Sequence, residues 1–194
     1  MQELRNGDTA IMLAQMQSGS VDAVITDPPY DELSPNWLDD LFRVVKPGGN
    51  VIMFCSPENQ FFKPDEILFW IKTPSTKNFQ KRCGRFVEMI LVKRGEKGAF
   101  NPLHWSQMTG VYDDRLVLPP IHPYEKPLSL IERLIRIYTN PGAVVLDPFC
   151  GSGTTLVACM NLKRKAIGIE KDHSKYLLAQ DRLLGLLPGR LKGE

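Results

Sequence analysis

At 194 residues with a formal net charge of +2, the chain is long enough for one well-buried domain and has no global charge excess that announces a polyanionic partner. Its 43% hydrophobic and 24% charged residues exclude a disordered or fibrous class. The longest apolar stretches, VIMFC and AVVLDPF, fall far short of the ~20 residues of a membrane span, MQELRNGD opens without an apolar signal segment, and Cys55, Cys83, Cys150 and Cys159 lack the paired spacing of a zinc site, so the expectation is a soluble cytoplasmic protein with free thiols, no metal and no membrane.

In chain order, helices and strands alternate. A helical pattern from about Thr9 to Gln17 sets Ile11, Leu13, Ala14 and Met16 among polar neighbours. DAVIT then predicts a strand, NWLDDLFRVV a helix and NVIMFC a second strand, with KPGG at Lys46 to Gly49 as the stop and turn between the last two. ILFWIKT and RFVEMILVKR are strand-like. From Gly95 the period is lost, and a loop-rich insertion is expected over about residues 95–121. LSLIERLIRIYT returns to a helical stripe, with Leu130, Leu134 and Ile137 opposite Arg133 and Arg136. AVVLD predicts a strand, GTTLVACMNL a helix, KAIGIE a strand and SKYLLAQDRLLGLL a closing helix, after which PGRLKGE is expected to fray. This alternation implies a single α/β domain over residues 1–194, a doubly wound, mostly parallel sheet with helices on both faces.

Two segments carry chemistry. The first is DPPY, residues 27–30: a strand running into Pro28 and Pro29 must stop, because neither proline donates to a sheet ladder and each holds φ near −65°. Ligands of open α/β sheets sit at the carboxyl ends of the strands, where Asp27 and Tyr30 are expected; the plainer alternative is a turn with an Asp cap and a half-buried Tyr. The second is VVLDPFCGSGTT. Gly151 and Gly153 let backbone amides approach a ligand with a helix dipole behind them, and Glu170, ending the next strand, suits a ribose diol. An adenosine-containing ligand over the sheet is the reading, against the alternative of a glycine turn that merely packs there. Leu156 breaks the full G-x-G-x-x-G/A spacing, which weakens a nicotinamide reading, and the absence of G-x-x-x-x-G-K-[ST] speaks against an ATPase.

With DPPY first and DPFCGSGTT last, the chain resembles the S-adenosylmethionine-dependent amino-group DNA methyltransferases, which act on adenine N6 or cytosine N4, in their permuted beta class. NGDTAIMLAQM, RVVKPGGNVIMF, HPYEKPLSLIERLI and IGIEKDHSKYLLAQDRL extend the likeness over nearly the whole chain. The resemblance implies a circularly permuted Rossmann-like fold, double-stranded DNA as partner, S-adenosylmethionine as cofactor with S-adenosylhomocysteine as product, and a bacterial or phage-encoded protein of the cytoplasm. It implies that Asp147, Phe149, Gly151, Gly153 and Thr154 line the cofactor, that Glu170 holds its ribose, that Asp8 reaches its adenine, and that His122, Lys126 and Pro127 close over its methionine end.

In that light Asp27, Pro28, Pro29 and Tyr30 form the catalytic segment. An exocyclic adenine amine is a poor nucleophile because its lone pair is delocalised into the ring. The Asp27 carboxylate and the Pro28 carbonyl would each accept one N–H, and Tyr30 would stack on a base flipped from the duplex. Phe149 offers an aromatic face to the sulfonium. Asp rather than Ser before PPY resembles the adenine branch.

Charge gathers locally in KTPSTKNFQKRCGR, where Lys77, Lys81, Arg82 and Arg85 are expected to track phosphates, unless this is simply a solvated loop. In the insertion, Trp105, Met108 and Tyr112 either enter a groove or pack onto the sheet, and Asn101, Gln107 and Arg115 have side chains suited to base edges. Trp105 and Arg115 are taken as DNA-binding. So short an insertion leaves little protein to span a duplex, which predicts a homodimer or a very short recognition site. His104, His122 and His173 have no metal-ligand spacing. The alternatives are cytosine-N4 methylation of DNA, methylation of RNA, a DNA-binding scaffold without turnover, and a nicotinamide-dependent oxidoreductase, which leaves DPPY unexplained.

Overall fold

The computed structural model describes residues 2–29, 35–56, 61–72, 87–114 and 125–187. Tyr30, Lys77, Lys81, Arg82, Arg85, Arg115, His122 and the segment PGRLKGE lie outside the described residues, and with them the expectations attached to those positions. The elements are β1 (Gln2–Asn6), α1 (Thr9–Gln15), β2 (Val21–Thr26), α2 (Pro35–Val44), β3 (Val45–Cys55), β4 (Glu66–Ile71), β5 (Val87–Lys93), a 3-10 turn at Trp105–Gln107, β6 (Val111–Tyr112), α3 (Leu128–Tyr138), β7 (Val144–Asp147), α4 (Thr154–Asn161), β8 (Lys165–Glu170) and α5 (His173–Leu183).

The strands form one eight-stranded sheet in the order β1-β8-β7-β2-β3-β5-β4-β6. From β1 to β3 every pairing is parallel; β5 runs antiparallel to β3 and to β4, and β6 lies parallel to β4. Antiparallel neighbours need no helical crossover, and among the described residues no helix stands between β3 and β5. Alternate side chains feed two cores. Val24, Val51, Met53 and Leu146 pack under α1 and α2 with Leu13, Trp37 and Leu41. Ile25, Ile52, Phe54 and Val145 pack under α3 and α4 with Leu130, Leu134, Leu156 and Ala158. Helices on both faces are what the alternation predicted.

One local reading is corrected. KPGG is not a turn ahead of a strand: it bulges out within β3, whose register against β2 jumps from Val21↔Val45 to Ala23↔Asn50. Gly48 there has φ of 126°, and a Cβ on Gly49 would stand 2.6 Å from the Asp22 carbonyl oxygen, so a side chain has no room where β2 crosses the bulge. The insertion, in turn, is tied down at both ends of its described part. Asn101 donates from its side chain to the carbonyls of Arg136 (3.1 Å) and Thr139 (2.9 Å), capping the end of α3. Asp114 accepts from Ser129 and pairs with Arg133 at 3.3 Å, while its carbonyl accepts from the Trp70 indole. The Asn101 side chain thus caps α3, Tyr112, 2% exposed, is core, and Trp105 is 75% exposed.

Candidate active site

The parallel strands bring their carboxyl ends to one edge of the sheet. From β7 the chain leaves through α4 to β8 on one side, and from β2 through α2 to β3 on the other, so the loops after these two adjacent strands part and open a crevice. A cleft of about 1400 Å³ lies there, lined by Asp27, Pro28 and Pro29 after β2, by Asp147 to Ser152 after β7, by Glu170 at the end of β8 and by Asp8 after β1. Four segments far apart in sequence thus meet because their strands end together.

The glycine loop is built by its own backbone needs. Gly151 and Gly153 hold φ of 52° and 84°, the left-handed region. No atom stands within 4 Å of where a Cβ on Gly151 would be, which leaves that side open to the cleft. Gly153 does not line the cleft; it begins α4 and would bring a Cβ to 3.1 Å from Ala179 on α5. Gly153→Ala is accordingly expected to lower stability by about 1–2 kcal/mol, read as a shift of the urea midpoint at unchanged slope. The Gly151 amide donates to Glu170 Oε2 at 2.8 Å and the Asp172 amide to Oε1 at 2.8 Å, so Glu170 braces the loop from the end of β8.

Asp147 ties the two halves of the crevice together. Its Oδ1 accepts from the Thr26 hydroxyl (2.9 Å) and the Phe149 amide (3.2 Å), joining the ends of β7 and β2. Burial pushes its carboxyl up to about 6, against the pull of hydrogen bonds from Thr155, Thr26 and Phe149. Phe149 meets the Trp37 ring edge-on at 5.1 Å, and both line the cleft. At the far end, Asp8 caps α1 through the amides of Ala10 and Ile11 and pairs with Lys171 at 3.2 Å. The Lys171 hydrogen bond, helped by those amides, holds the Asp8 carboxyl below its usual range.

Asp27 sits in a cluster that sequence reading missed. The Lys126 ammonium lies 2.5 Å from Asp27 Oδ2 and 3.1 Å from Glu88 Oε2, above the rings of Phe54 and Trp70. Glu88 also pairs with Lys72. Lys126, expected over the methionine end of a cofactor, lines the cleft and is paired with Asp27 and Glu88; Pro127, expected beside it, is buried at the start of α3 and does not line the cleft. A second missed pair stands behind the glycine loop. Arg182 of α5 reaches Glu125 Oε1 at 2.8 Å and donates to Thr154 Oγ1 at 3.1 Å and to the Ser152 carbonyl at 3.4 Å. The signal for Glu88 was present in the sequence, one acid in the apolar run of β5; Arg182 had none, since an arginine on an amphipathic helix reads as surface.

Among the described residues no group of three or more His, Cys, Asp or Glu is placed to hold a metal ion, and no helix is long and apolar enough to cross a membrane. A model of the N6_N4_Mtase family, described as DNA methylase, matches residues 21–181. The chain is similar to the type II methyltransferase M.HpaI of Haemophilus parainfluenzae, 27% identical over an alignment of 222 positions that takes in 88% of this chain and 70% of that protein. Among solved structures it is similar to the M1.HpyAVI–SAM complex, with a TM-score of 0.77 at 31% identity over 94% of this chain and 100% of that one. It is also similar to TTHA0409 of Thermus thermophilus complexed with S-adenosyl-L-methionine, with a TM-score of 0.72 at 26% identity over 97% of each chain.

Proposed function

Because the chain belongs to the N6/N4 DNA methylase family, we propose that it methylates the exocyclic N6 of adenine in double-stranded DNA, with S-adenosylmethionine as donor. The observation that carries this reading is that one cleft holds the Asp27-Pro28-Pro29 exit on one wall and the glycine loop braced by Glu170 on the other. The donor supplies a methyl group on a sulfonium sulfur and leaves as S-adenosylhomocysteine. Cleft size, the open side of Gly151 and the acids at the ends of β8 and β1 suit an adenosine with a short charged tail.

In this reading Glu170 binds the ribose with the lone pairs its amide donors leave, Asp8 meets the adenine, and the loop from Asp147 to Thr154 surrounds the middle of the cofactor. Gly153 acts from behind by shaping that loop. Asp27 and the Pro28 carbonyl accept the two hydrogens of the target amine, so that the nitrogen lone pair turns out of the ring. Pro29 keeps the segment rigid, and Tyr30 stacks on the flipped base. The amine proton passes to Asp27 and from there to water. Positioning carries most of the acceleration.

The order of the two walls along the chain, Asp27 early and Gly151 late, supports the permuted class, and one domain with a short insertion supports a short DNA site or a second copy of the chain. Asp27 in place of serine supports adenine over cytosine N4, although the family spans both. The test is incubation with radiolabelled S-adenosylmethionine and mixed-sequence duplex DNA, followed by nucleoside analysis. N6-methyladenine is the expected product. N4-methylcytosine would keep the mechanism and reverse the base assignment, whereas label in RNA alone would overturn the DNA reading.

A further inference from the structure

We propose that Glu88 is a positioning residue for the reaction: it holds Lys126 against Asp27 and thereby sets the direction of the carboxylate that receives the target amine. This rests on the role assigned to Asp27 in the preceding reading. Glu88 belongs to β5, which does not pair with β2, and its side chain is 13% exposed in a strand that reads VEMILVK. A carboxylate there is costly unless ions and hydrogen bonds compensate it. Both its oxygens meet lysines, Oε1 with Lys72 and Oε2 with Lys126. Lys126 is thereby held between two carboxylates and over two aromatic rings, Phe54 at 5.1 Å and Trp70 at 5.8 Å.

Asp27 is more exposed than either Lys126 or Glu88. Its side chain is 25% exposed at a strand exit, and the torsion that turns its carboxylate plane is broad. An acceptor aimed at one amine hydrogen needs that plane fixed, because misplacement by about 1 Å costs on the order of 10²-fold in rate. Lys126 fixes it through Oδ2, and Glu88 holds Lys126 by its ion pair at 3.1 Å.

The charged groups facing Lys126 are Asp27 after β2, Glu88 on β5 and Lys72 at the end of β4, with Cys55 of β3 beside the two acids, Asp147 of β7 beyond Asp27, and the Glu125–Arg182 pair next along the chain. Burial pulls the Lys126 ammonium down, and the two carboxylates more than reverse this, leaving it above the ordinary lysine value. Without Glu88 one of those carboxylates is gone while the burial remains. The ammonium then loses its proton at a lower pH, and the hold on Asp27 is lost with it.

The experiment compares the whole chain with Glu88→Gln and Glu88→Asp. Single-turnover methylation of duplex DNA is followed from pH 6 to pH 10, binding of S-adenosylhomocysteine by calorimetry, and Lys126 by NMR of protein labelled with 13Cε-lysine, its signal identified by its loss in Lys126→Arg. Glu88→Gln is expected to slow methyl transfer about ten- to a hundredfold, to leave the dissociation constant of S-adenosylhomocysteine within about twofold, and to add an alkaline limb to the pH profile as Lys126 titrates earlier. Glu88→Asp is expected to remove that limb and restore part of the rate. An unchanged rate and pH profile in Glu88→Gln would overturn the proposal, and so would rate and cofactor binding lost in equal measure. Normal lysine-like titration of Lys126 in the unaltered chain, insensitive to Glu88, overturns it even if Glu88→Gln folds poorly. If the unaltered chain methylates no DNA, the functional reading fails and the positioning role with it, while the Lys126 titration still decides whether the clasp exists.

Discussion

Asp27→Ala is expected to slow single-turnover methyl transfer by about 10³-fold or more, while S-adenosylhomocysteine binds within about twofold of its affinity for the unaltered chain. The split follows from position. Asp27 lies on the β2 wall of the cleft, across from Gly151, Glu170 and Asp8, so its loss would remove the acceptor proposed for the amine and leave the glycine loop with its Glu170 brace. A further effect separates the charged donor from the neutral product. With Asp27 gone, Lys126 keeps Glu88 as its anionic neighbour, and the cleft gains positive charge beside the transferred methyl. The sulfonium donor is therefore expected to weaken more than S-adenosylhomocysteine, an ordering that two calorimetric titrations check. Equal weakening of both, in step with the rate, would move Asp27 into the cofactor pocket or into the fold.

Arg182→Met is expected to cost about 3–5 kcal/mol of stability, a large share of the roughly 5–15 kcal/mol that holds a typical domain together. Arg182 and Glu125 are 5% and 1% exposed at their side chains and stand 2.8 Å apart, so removing the guanidinium strips the nearest cation from a carboxylate that water does not reach. The same side chain donates to Thr154 and Ser152, so the glycine loop loses a tie to α5. Weaker cofactor binding is expected to accompany the lost stability. A second change separates the two effects: Glu125→Leu added to Arg182→Met removes the buried acid that Arg182 faced, and the pair should unfold at a higher urea concentration than Arg182→Met alone. The loop contacts stay absent in the double variant, so cofactor affinity is expected to stay low. A double variant no more stable than Arg182→Met would show that the ion pair is not what the arginine contributes.

The parts that were legible in the sequence are those whose backbone leaves few choices. Pro28 and Pro29 end β2 where the proline ring requires, and Gly151 and Gly153 take the left-handed angles their lack of a Cβ permits. The amphipathic stripe of α3 buries Leu130, Leu134 and Ile137 as its period predicts. Elements without such marks were missed. β1 reads QELRN, and Leu4 is its one apolar residue; it is a strand because β8 offers an open edge to pair with. β6 is two residues long and depends on β4 in the same way.

The local chemistry of backbone and side chain was thus written in the order of residues: where strands stop, where glycines must stand, and that an acid follows β2. Which charges face one another was decided by the sheet order. Residues 27, 88 and 126 become neighbours because β5 inserts between β3 and β4 and α3 begins beside them, and Arg182 meets Glu125 because α5 folds back over α4. A turn depends on torsions that each residue type limits for itself. An ion pair depends on the distance between segments that the chain separates and the fold brings together, and no single segment of sequence contains that distance.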